Sequence, residues 1–486
     1  MSLNNSSIPV TAVFDIGKTN KKFLLFDENY EIAFQQYSTM EEARDFDDDG
    51  YACENLKHLV SWVKRKLKAV IQNDTFDVRA LNFSTYGASL VHLGDTGNVV
   101  TPFYNYMKPY PENLLRQFYE KYGGKEQFAL ETASPPMGML NSGLQLYWLK
   151  YAKPSLYKRI EHTLHFPQYL SSTFTGEFTT EFTSIGCHTG MWNYNENRYH
   201  RWLEKEGMLH LFPSIQSVTE TRRVKFAGTH FEAGPGMHDS SAALSPYLLA
   251  MDEPFLLLST GTWSVTLNPF NDAPLTFEEL RRDCLCFLNM YGEQVKAARL
   301  FLGNEYSHQK KKLEKYFGRD DNDDEVTIDK SILQKILISD NTKRKLRLET
   351  AYSSGPFPGE KPEEWNPEVF SSYEEAYHQL MLDLVTIQSA SIKLAEGAEP
   401  LDRIIVTGGF SRNKLFLKLL ASRFPEKKIC TASLSHVSAL GTAVAIDNSD
   451  VKSKLKRLLG LEYHAPVKGM DIRDYQWKKP SPQKQW

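Results

Sequence analysis

A chain of 486 residues exceeds what one hydrophobic core usually organises, which predicts two domains. Its 41% hydrophobic and 24% charged residues are those of an ordinary globular protein and exclude disordered and membrane-embedded classes; no stretch approaches the ~18 apolar residues of a spanning helix. A formal charge of −3 gives no broad basic field, so nucleic acid is excluded as the main partner and small-molecule chemistry is expected.

The residues up to Pro9 are polar, without the basic start and apolar stretch of a signal peptide, and the five scattered cysteines read as reduced thiols in a cytoplasmic protein. Val10 to Asp27 reads as a hairpin of two apolar strands around the polar turn Asp15-Ile16-Gly17-Lys18-Thr19-Asn20. Asp45-Phe46-Asp47-Asp48-Asp49-Gly50 imitates the start of a calcium loop, but its twelfth position is Leu56 instead of a bidentate glutamate, so a charged surface loop is expected. Leu56, Leu59, Val60, Val63, Leu67 and Val70 recur at helical spacing under a lysine-rich outer face. A strand Ala80 to Ser84, the turn Thr85-Tyr86-Gly87-Ala88-Ser89 and a strand Leu90 to Leu93 complete an α/β alternation.

The second half repeats this order. A hairpin spans Phe255 to Leu267 around Ser259-Thr260-Gly261-Thr262, and Cys284 and Cys286 share one strand face, read as buried because further zinc ligands are lacking. Lys310 to Leu348 reads as helix, loop and helix at the surface; within it, Asp320 to Glu325 fails as a calcium loop because its sixth residue is Glu325 and its twelfth Ser331. A helix from about Tyr373 to Ala395 carries the stripe Tyr377, Leu380, Leu384, Ile387 and Leu394. It leads to the strand Arg403 to Val406 and the glycine turn Thr407-Gly408-Gly409-Phe410-Ser411-Arg412-Asn413 at a helix start, a junction suited to a nucleotide. The boundary is placed at 245 to 254, giving domains 1–248 and 249–450 with an extension 451–486 whose end, from Lys478, is expected to fray.

Phosphoryl transfer needs amides and small side chains around phosphates, a divalent ion on carboxylates, and a group that takes the hydroxyl proton. Gly17, Lys18, Thr19, Asn20 and Lys22 offer donors in the first turn, and Gly261 and Thr262 in the second. The triplet Gly17-Lys18-Thr19 is no Walker loop, because Ala12 stands where the leading glycine belongs and a strand follows instead of a helix. Asp15 can hold magnesium through water; a polar surface turn is the plainer reading of that hairpin. In Gly234-Pro235-Gly236-Met237-His238-Asp239-Ser240, Asp239 reads either as a plain helix cap or as a cap whose oxygen also faces a substrate hydroxyl.

In this order the pieces resemble the FGGY carbohydrate kinases over about residues 10 to 447, with Met237 to Ser240, Leu258 to Ser264 and Arg299 to Asn304 most like the rhamnulose-phosphorylating members. The resemblance implies two actin-like, ribonuclease H-like α/β domains with ATP and sugar in the cleft between them. It implies Asp239 as proton acceptor, Mg2+ at Asp15 and Asp239, and ATP on Gly17 to Asn20, Lys22, Gly261, Thr262, Gly408, Gly409 and Asn413. It places the sugar beside Gly87, Ser89, His238 and Asn304, and matches His165 to Tyr169 to a strand-to-helix stretch of the family. The expected activity is ATP-dependent phosphorylation of a small ketose such as rhamnulose, fuculose or xylulose, with oligomeric state open and a homodimer compatible.

Three departures stand out. Lys18 sits where the family has a small residue, and either touches a phosphate or points outward. Ser89 replaces an acid, removing one expected sugar-hydroxyl acceptor, and Phe410 replaces a third glycine, for adenine stacking or for packing. Trp148, Trp192 and Trp263 can stack on a sugar face, with core burial the plainer reading. The alternative to a kinase is an actin-fold nucleotide sensor with weak or no transfer.

Overall fold

The computed structural model describes residues 7–46, 49–319, 326–338, 367–447 and 449–475. Asp47, Asp48, Asp320 to Glu325 and the segment from Lys478 lie outside these residues, as does the end of the charged stretch beyond Ile338. The chain divides into two compact α/β units. The first runs to Met251 and adds Cys286–Gln294 and Leu434–Leu459; the second comprises Asp252–Leu285, Val295–Ser433 and the chain from Gly460 onward. No single cut in the sequence expresses this division.

In the first unit a mixed sheet has the order Arg222–Phe226, Thr229–Ala233, Phe76–Thr85, Ile8–Ile16, Lys21–Phe26, Ile32–Ser38, with Met237–His238 also paired to Phe76–Thr85. Ile8–Ile16 pairs antiparallel with Lys21–Phe26 and parallel with Phe76–Thr85, so Asp15 lies opposite both Lys22 and Ser84. The predicted helix spans Leu56–Ile71, capped by the Asn55 side chain on the His58 amide at 3.1 Å. Its buried stripe includes Trp62, whereas Val60 is only half-buried: the apolar arc is centred nearer Trp62 than the valine spacing suggested.

The second sheet repeats the plan. Leu256–Thr260 pairs antiparallel with Ser264–Asn268 and parallel with Arg403–Gly408, which pairs parallel with Lys428–Thr431. The full order is Cys284–Leu288, Gln294–Leu300, Ser264–Asn268, Leu256–Thr260, Arg403–Gly408, Lys428–Thr431, Glu462–Tyr463. Cys284 and Cys286 are buried free thiols on this strand. The helix Tyr373–Glu396, capped by Ser372, is buried on almost every face, Gln379, Gln388 and Ser391 included, so it is a core helix where an amphipathic one was expected. The charged stretch before it holds the helices Leu302–Phe317 and Lys330–Ile338.

Among the described residues no helix is long and apolar enough to cross a membrane.

Candidate active site

The turn after Ile16 closes with the Gly17 amide on the Asn20 carbonyl at 3.0 Å. Beneath it lies Lys21, 2% exposed, whose Nζ donates to the Gly17 and Lys18 carbonyls, both at 3.0 Å, and to Glu54 Oε2 at 3.1 Å. Two carbonyls are thereby drawn inward, which leaves the rim of the turn to its donors. The sequence reading passed over Lys21 in favour of Lys22, which points the other way and donates to Asp15 Oδ2 at 2.8 Å. Thr19 and Asn20 are exposed at the tip. Lys18 turns to Glu42, Nζ to Oε1 2.7 Å, which is the outward alternative.

Asp15 is 4% exposed, and its other oxygen accepts from Ser84 Oγ at 2.9 Å. Pairing of Met237 with Ser84 and His238 with Thr85 carries the next residue, Asp239, out beyond the same strand ends. The approach is tightly made. Gly236 has φ +83° and a Cβ there would lie 2.8 Å from the Pro167 carbonyl oxygen, while its amide donates to Asn82 Oδ1 at 2.9 Å. Asn82 Nδ2 in turn donates to the Thr442 carbonyl at 2.9 Å, in the helix Val437–Val444. That helix meets the Asp239 helix backbone to backbone at Gly441, where a Cβ would stand 1.8 Å from the Ala242 oxygen.

Asp239 is the first residue of the helix Asp239–Ala250 and not its cap: His238 holds the cap position, without a side-chain capping bond. The cap expectation fails because strand pairing runs through His238, so the chain turns helical one residue later than a capping Asp239 would need. The Asp239 carboxyl is open on one side, 31% of its side chain, and hemmed in elsewhere. Burial first, and the charge of Asp15 second, push its pKa up to about 7. A carboxylate poised there suits proton transfer at neutral pH. His238 is pushed down to about 4 by burial and is neutral; its Nδ1 is buried with no hydrogen-bond partner in the protein.

The turn Thr85–Ser89 lies against this group. A Cβ at Gly87 would stand 2.7 Å from Cys187 Sγ and 3.1 Å from the His238 ring, so only glycine fits. Ser89 is 3% exposed, and the Ala88 carbonyl accepts from Gln145 Nε2 at 3.1 Å. The strand His162–His165 does lead into the helix Phe166–Thr175, where Gln168 Nε2 donates to the Gly236 carbonyl at 3.0 Å. Cys187 and His188 escaped the sequence reading because no spacing rule links position 187 to 238; the one available signal was a Cys-His pair shortly after a buried acidic cap, Glu181.

In the second unit a pocket of about 390 Å³ gathers Gly261, Thr262, Gly409, Phe410 and Asn413 with Gly303, Asn304, Tyr306 and Ser307. Asn304, expected beside the sugar, lines this pocket together with the Gly261–Thr262 turn; its amide donates to the Thr262 carbonyl at 3.1 Å. Gly408 has φ +80°, and the Phe410 amide donates to Thr260 Oγ1 at 3.0 Å. Phe410 rims the pocket but is mostly packed, 4.4 Å from the Phe416 ring and 5.2 Å from Tyr306. Asn413 caps the helix Lys414–Arg423 through the Phe416 amide at 2.9 Å. At Gly303 a Cβ would lie 1.9 Å from the Gly261 oxygen. Gly303→Ala is therefore expected to cost about 1–3 kcal/mol and to weaken ADP binding more than sugar binding, checked by denaturation and calorimetric titration.

Other expectations are corrected. Trp148 and Trp192 are core, but Trp263 is 42% exposed, braced by Phe301 at 4.7 Å and Arg299 at 5.6 Å. The Asp45 loop is not simply surface: Asp45 is buried on Lys108 Nζ at 2.7 Å, and Asp49 pairs with the same lysine. No group of three or more His, Cys, Asp or Glu among the described residues converges on a metal position. Mg2+ needs less, one or two carboxylates plus phosphates and water, and Asp15 with Asp239 supplies a carboxylate pair whose mutual repulsion a cation relieves.

Residues 10–211 match the N-terminal domain of the FGGY family of carbohydrate kinases, and residues 252–454 match the carbohydrate kinase FGGY C-terminal domain. A rhamnulokinase of Halalkalibacterium halodurans is 24% identical over 468 residues, 89% of this chain and 91% of its own. Among solved structures, a carbohydrate kinase from Novosphingobium aromaticivorans superposes with a TM-score of 0.79 at 23% identity, covering 96% of this chain and 98% of its own. Glycerol kinase of Plasmodium falciparum, solved with ADP, gives 0.71 at 16% identity, covering 94% of each chain. With both domain types present in order, the chain belongs to the FGGY family of carbohydrate kinases, phosphotransferases with an alcohol group as acceptor.

Proposed function

We propose that this kinase transfers the terminal phosphoryl group of ATP to a hydroxyl of a small ketose of the rhamnulose type, with Asp239 accepting the hydroxyl proton. The observation that carries this reading is Asp239 itself, held at a strand-to-helix junction with a pKa of about 7 beside a second carboxylate. The likeness to a rhamnulokinase across both domains supports the acceptor class.

In this reading His238 and the Thr85–Ser89 turn hold the sugar, and the close packing of Gly87 on Cys187 and His238 supports it by keeping that turn tight against the residue before Asp239. Gly17 to Asn20 and the Gly261–Thr262 turn receive the phosphates, and the pocket bounded by Gly409, Phe410 and Asn413 receives the nucleoside. Asp15, and Asp239 before it takes the proton, are the carboxylates that hold magnesium, which when bound neutralises phosphate charge. Lys22 already partners Asp15 and is placed to share that task.

The test is ADP release over a panel of ketoses with Mg-ATP. Rhamnulose, or an epimer of it, is expected to raise ADP release at least ~100-fold above the sugar-free rate. A polyol such as glycerol outperforming every ketose would overturn the acceptor class.

A further inference from the structure

The segment Glu181 to Thr189 carries an imidazole, His188, in a conformation that asks for a reason. Its φ is +39°, a left-handed backbone that strains a side-chain-bearing residue and persists where surroundings over-determine it. They do so here. The His188 carbonyl accepts from Asn141 Nδ2 at 2.9 Å and its amide donates to the Gly186 carbonyl at 3.2 Å. Gly186 is itself pinned, since a Cβ there would lie 2.5 Å from Leu288 Cγ.

The result is a chain of side chains ending at the base. His188 Nδ1 lies 3.4 Å from Cys187 Sγ, Cys187 Sγ lies 3.1 Å from His238 Nε2, and His238 Nε2 lies 3.3 Å from Asp239 Oδ1. The Phe287 ring stands 6.1 Å from both imidazoles and gives the group an apolar wall. His188 is thus linked to Asp239 through Cys187 and His238, and is itself only half-buried. The Thr85–Ser89 turn contributes a glycine, an alanine and a buried serine, its Thr85 and Tyr86 hydroxyls donating to the Tyr86 carbonyl and to Glu54, and the imidazoles stand beside it as further groups able to hydrogen-bond a hydroxyl.

We infer that His188 is a specificity-determining residue that hydrogen-bonds a hydroxyl of the acceptor sugar remote from the reacting one, and that Cys187 orients it against His238. This rests on the proposed sugar site around Gly87 and His238. Backbone strain at 188 is retained because it aims the ring; a residue serving only the turn would be better as glycine or asparagine.

The experiment compares wild type with His188→Ala, His188→Gln and His188→Gly, measuring kcat and KM for ketoses that differ at single hydroxyls, with ADP affinity and melting temperature as controls. His188→Ala is expected to raise KM for the preferred ketose about tenfold or more with kcat changed less than about threefold, and to level the ranking of epimers. His188→Gln, which keeps a polar group at similar reach, recovers part of both. His188→Gly melts higher than wild type yet shows the alanine kinetics. A His188→Ala enzyme with unchanged KM and ranking, or one that loses kcat equally on every ketose, overturns the inference and leaves the proposed function standing. A wild type that phosphorylates none of the ketoses overturns the proposed function and this inference with it.

Discussion

Asp239→Asn is expected to lower kcat for sugar phosphorylation by about 10²–10⁴-fold while ATP and ketose still bind, the effect of deleting a positioned general base. Isosteric replacement keeps the junction built by Gly236, Asn82 and the Gly441 contact, so a fold-level explanation of the loss is testable by melting temperature. The sign of that control follows from the pKa. A carboxyl raised to about 7 in the folded state, against ~3.9 unfolded, binds its proton more tightly when folded. Its contribution to stability is full below the unfolded value and is lost as pH climbs through about 7. The asparagine variant should therefore melt above wild type at pH 8 and lose that advantage near pH 4. In wild type the same ionisation gives kcat/KM an acid limb with a midpoint near 7, because the base must be unprotonated. Asp15→Asn removes the second cause of the shift and should move the limb to lower pH in the residual activity. A flat profile between pH 5.5 and 8 would remove Asp239 from the proton transfer.

The two hairpins and their turns were legible because strand alternation and glycine-bearing turns are local signals, and they recur at Asp15 and Thr260 in sheets of the same plan. Asp239 was legible as a candidate proton acceptor, but the cap position expected for it belongs to His238, since pairing of His238 with Thr85 is a long-range contact. What lay hidden depends on such contacts throughout. Nothing local tells Lys21 from Lys22; strand alternation sends them to opposite faces, and only Glu54, 33 residues on, makes the first a buried ion. Leu434–Leu459 lies in sequence between two strands of the second sheet, Lys428–Thr431 and Glu462–Tyr463, yet it belongs to the first unit, where Gly441 fits on Ala242. Cys187 reaches His238, the residue before Asp239, only through a contact 51 residues long. Asn304 lines the pocket of the second unit because the tight approach of Gly303 to Gly261 starts its helix there, a closeness that composition does not encode.

Lys21→Met is expected to destabilise the first unit by about 3–5 kcal/mol, the cost of leaving one member of a buried ion pair without its counter-charge. Glu54 Oε2 would keep only the Tyr86 hydroxyl, at 3.2 Å, of the two donors it now has in Lys21 and Tyr86. The Gly17 and Lys18 carbonyls would lose the ammonium that draws them under the turn. Burial lowers the Lys21 pKa while Glu54 acts to raise it, so the charged lysine carries a desolvation cost. Its bonds to the Gly17 and Lys18 carbonyls give it a second task, ordering the Gly17–Asn20 turn. The double variant Lys21→Met, Glu54→Gln separates the two effects: glutamine removes the stranded charge and can still accept from Tyr86, so most of the stability should return in urea denaturation. The turn carbonyls remain unpartnered in that protein, and its ATP affinity should stay reduced about tenfold. If ATP affinity returns together with stability, Lys21 serves the core alone, and the donors of the turn need no floor beneath them.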